Sequence, residues 1–334
     1  IHGKIIISYK LICKYNKYLQ MIVYFHIGFP RTGSTFLQKT IFEIHDKINY
    51  LGPKYHNTSK IPFLNNKIMS KIDQIDLKKD INLDNADLIF KNLKLSETKI
   101  NLISSEKFLT FEVNYFENLI KIKKLLNLKN KNIKFKVFFV IRNQFDALKS
   151  YYFHAFSEIS KDFRIQSFPE LLNISKLKKE INTNEMNFLE NYLYDMSFKK
   201  LLRHFNKENI RIFFYEDLDN NKNNFVKKIS NFLNINNICL DIKNDKEKIN
   251  QLNVLNGQII YHEKHFPKIY HYYHRLNLKR FIPNILRIFI KKKITKKIDF
   301  KINKNEKKEL KKFYEKSNYE LQKIANIIIP KNYF

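Results

Sequence analysis

The stretch Met21-Ile-Val-Tyr-Phe-His-Ile27-Gly28-Phe29-Pro30-Arg31-Thr32-Gly33-Ser34-Thr35-Phe36 decides how the rest of the chain is read. Its first seven residues are apolar and β-favouring, a predicted strand that stops at Gly28. From Phe36 to Glu43 the apolar residues recur at helical spacing. The segment between them has the Gly28-x4-Gly33 spacing followed by Ser34-Thr35, which is that of a phosphate-binding loop. Backbone N–H groups of such a turn, at the start of a helix, converge on an anion. The Lys that a nucleotide-triphosphate loop places before its final Ser/Thr is replaced by Ser34, and the cation sits inside the loop at Arg31.

Further strands are predicted at Asn49–Leu51, Ile100–Ser105, Lys134–Ile141 and Ile210–Tyr215. Lys134–Ile141 is apolar almost throughout, as central parallel strands are. Helices are predicted from Phe145 to about Phe156, from Asp195 to Phe205, and through Phe225, Ile229 and Leu233. Alternating strands and helices imply an α/β fold: a three-layer, mostly parallel central sheet with a P-loop-like strand–loop–helix and helical insertions. No repeat or Gly/Ser linker divides the chain, so residues 21–334 read as one domain, with insertions near 57–100, 157–190 and 260–300. Met21 sits directly before the first convincing strand, and residues 1–20 read as a non-native or disordered extension.

Composition narrows the function classes. Lys and Arg number 62 against 32 Asp and Glu, a net charge of +30, which suits anionic partners. Lys, Asn, Ile, Phe and Tyr abound everywhere while Trp is absent, so much of that charge reflects an A+T-rich coding bias rather than a site. Cys13 and Cys239 form no CxxC pair, which argues against a zinc ribbon or disulfide framework and fits a reducing, cytoplasmic compartment. No apolar run reaches the ~18 residues of a membrane span. Residues 278–297 are basic and amphipathic and read as a surface helix packed on the core, or as a peripheral contact with an anionic membrane or glycan.

A second motif begins at another strand end: Val140-Ile-Arg142-Asn143-Gln-Phe-Asp146-Ala-Leu-Lys-Ser150. With Arg142 at the strand tip and Ser150 two turns into the helix, both side chains can face one phosphate. A guanidinium offers paired donors to phosphate oxygens and a hydroxyl adds a neutral one. Ligands of such sheets bind beyond the C-terminal strand ends, where both motifs lie.

The Pro-Arg-Thr-Gly-Ser-Thr-Phe segment resembles the 5′-phosphosulfate-binding loop of the sulfotransferase superfamily, whose donor is 3′-phosphoadenosine 5′-phosphosulfate (PAPS). Arg142, Asn143, Asp146 and Ser150 match the family's Arg-Asn-x-x-Asp-x-x-x-Ser pattern, in which Arg and Ser bind the donor's 3′-phosphate. Phe214-Tyr-Glu-Asp-Leu218 and the run Leu310–Gln322 are similar to later segments of the same family. The resemblance implies sulfuryl transfer from PAPS, without metal, to a hydroxyl or amine of a glycan, lipid-linked sugar or small metabolite. It implies that Arg31, where the family commonly has Lys, neutralises the bridging oxygen. Thr32, Gly33, Ser34 and Thr35 would hold the 5′-phosphate, Arg142 and Ser150 the 3′-phosphate, and Tyr215 the adenine, with Phe36 either stacking on it or packing in the core. Glu216 or Asp217 would cap the following helix.

The general base stays open between several groups. Glu106 follows Ile100–Ser105 and would project beside the cradle, where desolvation raises its pKa. His56, after the short second strand, is the next candidate, followed by His26 and His154. His262, His265, His271 and His274 lack tidy metal-ligand spacing. The competing functions are a P-loop kinase, which Ser34 disfavours, and a basic nucleic-acid-binding protein, for which no motif is present.

Overall fold

The structure, a computed structural model, describes residues 20–53, 71–109, 114–152, 189–235, 254–255, 258–264, 293–299 and 303–334. Its centre is a five-stranded, all-parallel sheet of β1 (Ile22–Ile27), β2 (Ile48–Leu51), β3 (Ile100–Ser105), β4 (Lys134–Ile141) and β5 (Ile210–Phe214), in the order β2-β3-β1-β4-β5. β1 lies in the middle, Val23 opposite Asn101 of β3 and Phe135 of β4, so the loops leaving β1, β3 and β4 emerge side by side.

Helices cover both faces: α1 (Ser34–Leu37), running on into a π-helical turn at Gln38–Phe42, α2 (Leu83–Leu93), α3 (Asn114–Lys129) and α4 (144–152). After these come α5 (Tyr194–Leu202), α6 (Tyr215–Asn220), α7 (Lys222–Leu233) and α8 (Lys304–Ala325). The two-residue period of a strand sorts β1 between them. Val23, Phe25 and Ile27 face a core completed by α3, α4, α5 and α8, while Tyr24 packs with α1 and α7. β4 alternates in the same way although nearly every residue is apolar: Val137, Phe139 and Ile141 on one side, Phe138 and Val140 on the other. With no Trp in the chain, Phe and Tyr supply the bulk, and each fully buried aromatic contributes about 1.5–3 kcal/mol.

The chain holds five glycines, and asparagine takes over their usual work at helix ends. Asn234 and Asn326 end α7 and α8 at φ 57° and 56°, the left-handed conformation that Asn adopts most readily after Gly. At the other ends Asn82 and Asn221 accept backbone N–H groups, and Asn303 forms a capping box with Glu306.

Two expectations are corrected here. Lys293–Asp299 is a strand, β8, antiparallel to β7 (Gln258–Lys264), which pairs in turn with β6 (Val254–Leu255). Residues 293–297 are therefore not part of an amphipathic helix. The β-branched Ile294, Thr295 and Ile298 favour the extended chain. Residues 278–292 lie outside the described residues, as do 1–19. Glu216 and Asp217 do not cap α7, whose N-cap is Asn221. Asp217 pairs instead with Lys228 at 2.7 Å, and Glu216 turns toward β4. Among the described residues no helix is long and apolar enough to cross a membrane.

Candidate active site

The loop leaving β1 is shaped by backbone rather than by side-chain caps. Gly28 N–H donates to Ser105 O at 3.2 Å, extending the β1–β3 ladder by one bond. A Cβ on Gly28 would stand 2.4 Å from Ser34 Oγ and 2.9 Å from Glu106 Cγ, so its absence lets three elements meet at one point. Phe29 turns inward, edge-on to Phe139 (5.6 Å) and Tyr194 (4.9 Å), and anchors the loop in the core. Thr32 Oγ1 closes the turn by donating to Phe29 O at 2.9 Å, and Tyr192 Oη donates to Pro30 O at 3.3 Å. Arg31 and Gly33 have φ of 66° and 88°; the second suits glycine, whereas the first holds a side-chain-bearing residue in a conformation it disfavours. Ser34 is buried, and its Oγ has no hydrogen-bond partner among the described residues. Thr35 is half-buried, and so is Phe36, which packs against the α1/α7 core.

The β4 tip is held by side chains from elsewhere. Tyr194 Oη donates to Arg142 O at 2.7 Å and accepts from Arg142 N–H at 3.3 Å. The Arg142 guanidinium lies over the Tyr215 ring, 4.1 Å from its centroid, and donates to Arg31 O at 3.2 Å. Asn143 Oδ1 accepts Asp146 N–H at 3.3 Å, which starts α4. Two turns on, Ser150 Oγ accepts from Arg31 Nε at 2.9 Å. The two motifs thus meet, with one change from expectation: in this structure the side-chain partner of Ser150 is Arg31. Arg142 reaches the same place by way of the Arg31 carbonyl.

Glu106 opens a 3-10 turn directly after β3 and sits against Gly28 and Ser34. Burial pushes its carboxyl above the ordinary range, and the Arg31 charge partly opposes this. Arg31 is itself lowered by burial and by Arg142, with Glu106 pulling the other way. Two guanidiniums at neighbouring strand tips, one of them destabilised by the other, form a site suited to more than one negative charge.

His26 is fully buried and is not placed to act as a base. It points from β1 into the core, its ring 5.2 Å from Phe42 and 5.0 Å from Phe138, and burial lowers its pKa to about 3. Its Nδ1 is 2.8 Å from Ser104 Oγ, which also accepts from Gln38 Nε2 at 3.0 Å. His56 and His154 lie outside the described residues, as do His265, His271 and His274; His262 falls on β7. Sequence reasoning missed Tyr192, Tyr194, Asn332 and Tyr333. Nothing local marks them: the three tyrosines bond backbone groups or a carboxylate far away in the sequence, and Asn332 offers its backbone carbonyl to the Asn143 side chain.

A family model described as "Sulfotransferase domain" matches residues 24–270, well over half the chain and spanning every site residue above except those at 332–333. The chain belongs to the sulfotransferase domain family. It is therefore a sulfotransferase, an enzyme of sulfuryl transfer. Solved structures to which it is similar include a sulfotransferase from Alicyclobacillus acidocaldarius, at 13% identity and TM-score 0.49, covering 92% of this chain and 96% of that one. Another is mouse sulfotransferase SULT7A1 complexed with PAP, at 18% identity and TM-score 0.38, covering 67% and 62%. A third is the sulfotransferase domain of the Synechococcus PCC 7002 olefin synthase, at 13% and 0.36, covering 64% and 74%. Among curated proteins, none matches the chain.

Proposed function

We propose that this sulfotransferase takes its sulfuryl group from PAPS and passes it to a hydroxyl or amine of a glycan, lipid-linked sugar or small metabolite. The observation that carries this reading is the meeting of Arg31, Ser150 and Arg142 across two adjacent strand tips. The buried, unpartnered Ser34 Oγ supports it, because a buried hydroxyl without a partner is costly and a phosphate oxygen would satisfy it. So does the absence of a Cβ at Gly28, which leaves the loop's interior to Ser34 and Glu106.

When bound, the donor supplies SO₃: its sulfur–oxygen bond to the bridging phosphate oxygen breaks as the acceptor oxygen or nitrogen bonds to sulfur, leaving adenosine 3′,5′-bisphosphate. Thr32, Gly33, Ser34 and Thr35 hold the 5′-phosphate end through loop N–H groups and hydroxyls. Arg31 lies inside that loop and neutralises charge gathering on the bridging oxygen. Arg142 and Ser150 hold the 3′-phosphate, and Tyr215, already covered by Arg142, offers a face to the adenine. Phe36 belongs to the core in this reading. Glu106 is the general base: the burial that raises its pKa makes it a better proton acceptor, and the Arg31 charge opposes that rise. Acceptor selection falls to the stretches near 57–100, 157–190 and 260–300.

The test is ligand-dependent melting. Adenosine 3′,5′-bisphosphate should raise the melting temperature in the presence of a chelator, and ATP with Mg²⁺ should raise it far less. The reverse order would overturn the donor assignment. Radiolabelled donor offered to fractionated glycans, lipids and metabolites then identifies the acceptor class.

A further inference from the structure

Residues 330–334 return to the β4 tip from behind. The Tyr333 ring is buried edge-on to Phe214 at 6.2 Å, and its Oη donates to Glu216 Oε2 at 2.8 Å. The other carboxylate oxygen, Oε1, accepts the Asn143 backbone N–H at 2.8 Å. Asn332 O accepts from Asn143 Nδ2, a contact spanning 189 positions. One residue further on, Gln144 Nε2 donates to Asn318 Oδ1 at 2.6 Å, and Asn318 Nδ2 donates to Tyr333 O at 2.9 Å. Two consecutive residues after Arg142 are therefore tied to one distant segment by a connected set of hydrogen bonds.

The chemistry fixes the direction of the key bond. Burial and the neighbouring Glu216 carboxylate hold the Tyr333 phenol well above its usual pKa, so it stays a donor. Burial also raises Glu216, while the Asn143 N–H, the Tyr333 phenol and Arg142 oppose the shift and favour the ionised acceptor. Without the phenol, Oε2 would be left without this donor in a half-buried position, and the carboxylate would gain by turning to solvent and releasing Asn143. Arg142 is the adjacent residue, and its paired donors work only at a fixed angle.

We infer that Glu216 and Tyr333, with Asn332, position the β4 tip so that Arg142 meets the donor's 3′-phosphate, which makes the 330–334 segment part of donor selectivity. This rests on the donor reading above. Glu216, Asn332 and Tyr333 are positioning residues: they act on Asn143 and through it on Arg142.

The experiment compares calorimetric affinities for adenosine 3′,5′-bisphosphate and adenosine 5′-monophosphate in the full chain, wild type against Tyr333→Phe. The variant keeps the ring against Phe214 and loses one hydroxyl. Its preference for the bisphosphate should fall about tenfold, with monophosphate affinity unchanged. A merely structural role would lower the melting temperature and leave the ratio alone, so an unchanged ratio in folded protein overturns the inference. Should Tyr333→Phe fail to fold, Glu216→Gln is read in the same way, since it keeps a carbonyl for Asn143 N–H and removes the charge. A wild type without any bisphosphate preference would bring down the donor reading itself. A wild-type preference that both variants retain would bring down this inference alone.

Discussion

The β1 and β4 tips stand side by side yet are built on different principles. The first is a backbone device: Gly28 without a Cβ, Arg31 and Gly33 at positive φ, and a Thr32 hydroxyl closing the turn within three residues. The second is a side-chain device, in which Arg142 and Asn143 are held by Tyr194, Tyr215, Glu216, Asn332 and Tyr333. A backbone cradle fails through sterics and strain, whereas a clamp fails by losing charge and hydrogen bonds. Glu106 stands at the β3 tip, on the far side of β1 from β4, where it touches the first and supplies the chemistry of neither.

The largest effect should come from that carboxylate. Glu106→Gln should lower kcat roughly 10²–10⁴-fold while bisphosphate affinity holds; a variant with full turnover would remove Glu106 as base. In the wild type, turnover should rise with pH through a midpoint above the ordinary carboxylate range, because burial raises this pKa and the base works only when ionised. Glu106→Gln should flatten that limb.

Next comes the clamp. Arg142→Ala should weaken bisphosphate binding roughly 100-fold, whereas Ser150→Ala, which loses a neutral hydroxyl, should cost about tenfold or less. Calorimetry on the two variants would contradict the clamp if the order were reversed. The cradle should respond differently. Gly28→Ala forces a Cβ to within 2.4 Å of Ser34 Oγ and should lower unfolding free energy by about 2 kcal/mol in urea, along with donor affinity. Unchanged stability would show that the loop yields.

The smallest effect concerns His26, beneath the cradle and paired in register with Phe138 of β4. Its folded pKa, about 3, lies below the ordinary 6.5, so in that window the unfolded chain binds a proton that the folded chain does not. Stability is therefore lost as pH falls. The loss should amount to about 1 kcal/mol as pH drops from about 6.5 to about 5.5. His26→Gln should show a shallower dependence in paired urea titrations. Equal slopes would contradict the burial of a neutral imidazole.

The contrast between the tips also explains what could be read in advance. The cradle is local, so its glycines, Arg31, Ser34 and Thr35 are legible in a single stretch, as are β1, β3, β4 and β5, whose apolar runs end at polar or glycine residues. The Arg142–Ser150 spacing was legible as helix geometry. That Ser150 would pair with Arg31 was not, because that bond depends on how α4 sits against the β1 loop. Glu216 looked like a helix cap because acidic residues favour first turns; its actual partners, Asn143 and Tyr333, come from 73 and 117 positions away. The β6–β8 sheet escaped notice because β6 is only two residues long and neither β7 nor the lysine-rich β8 shows the apolar alternation by which a half-buried strand is recognised.

The most direct test of the paired-tip account is a crystal structure with adenosine 3′,5′-bisphosphate. The 5′-phosphate should lie in the loop of Gly33, Ser34 and Thr35, and the 3′-phosphate should be bonded by Arg142 and Ser150, with the Arg31–Ser150 contact opened to admit it. A nucleotide held at one tip alone, or bound away from both, would contradict the account.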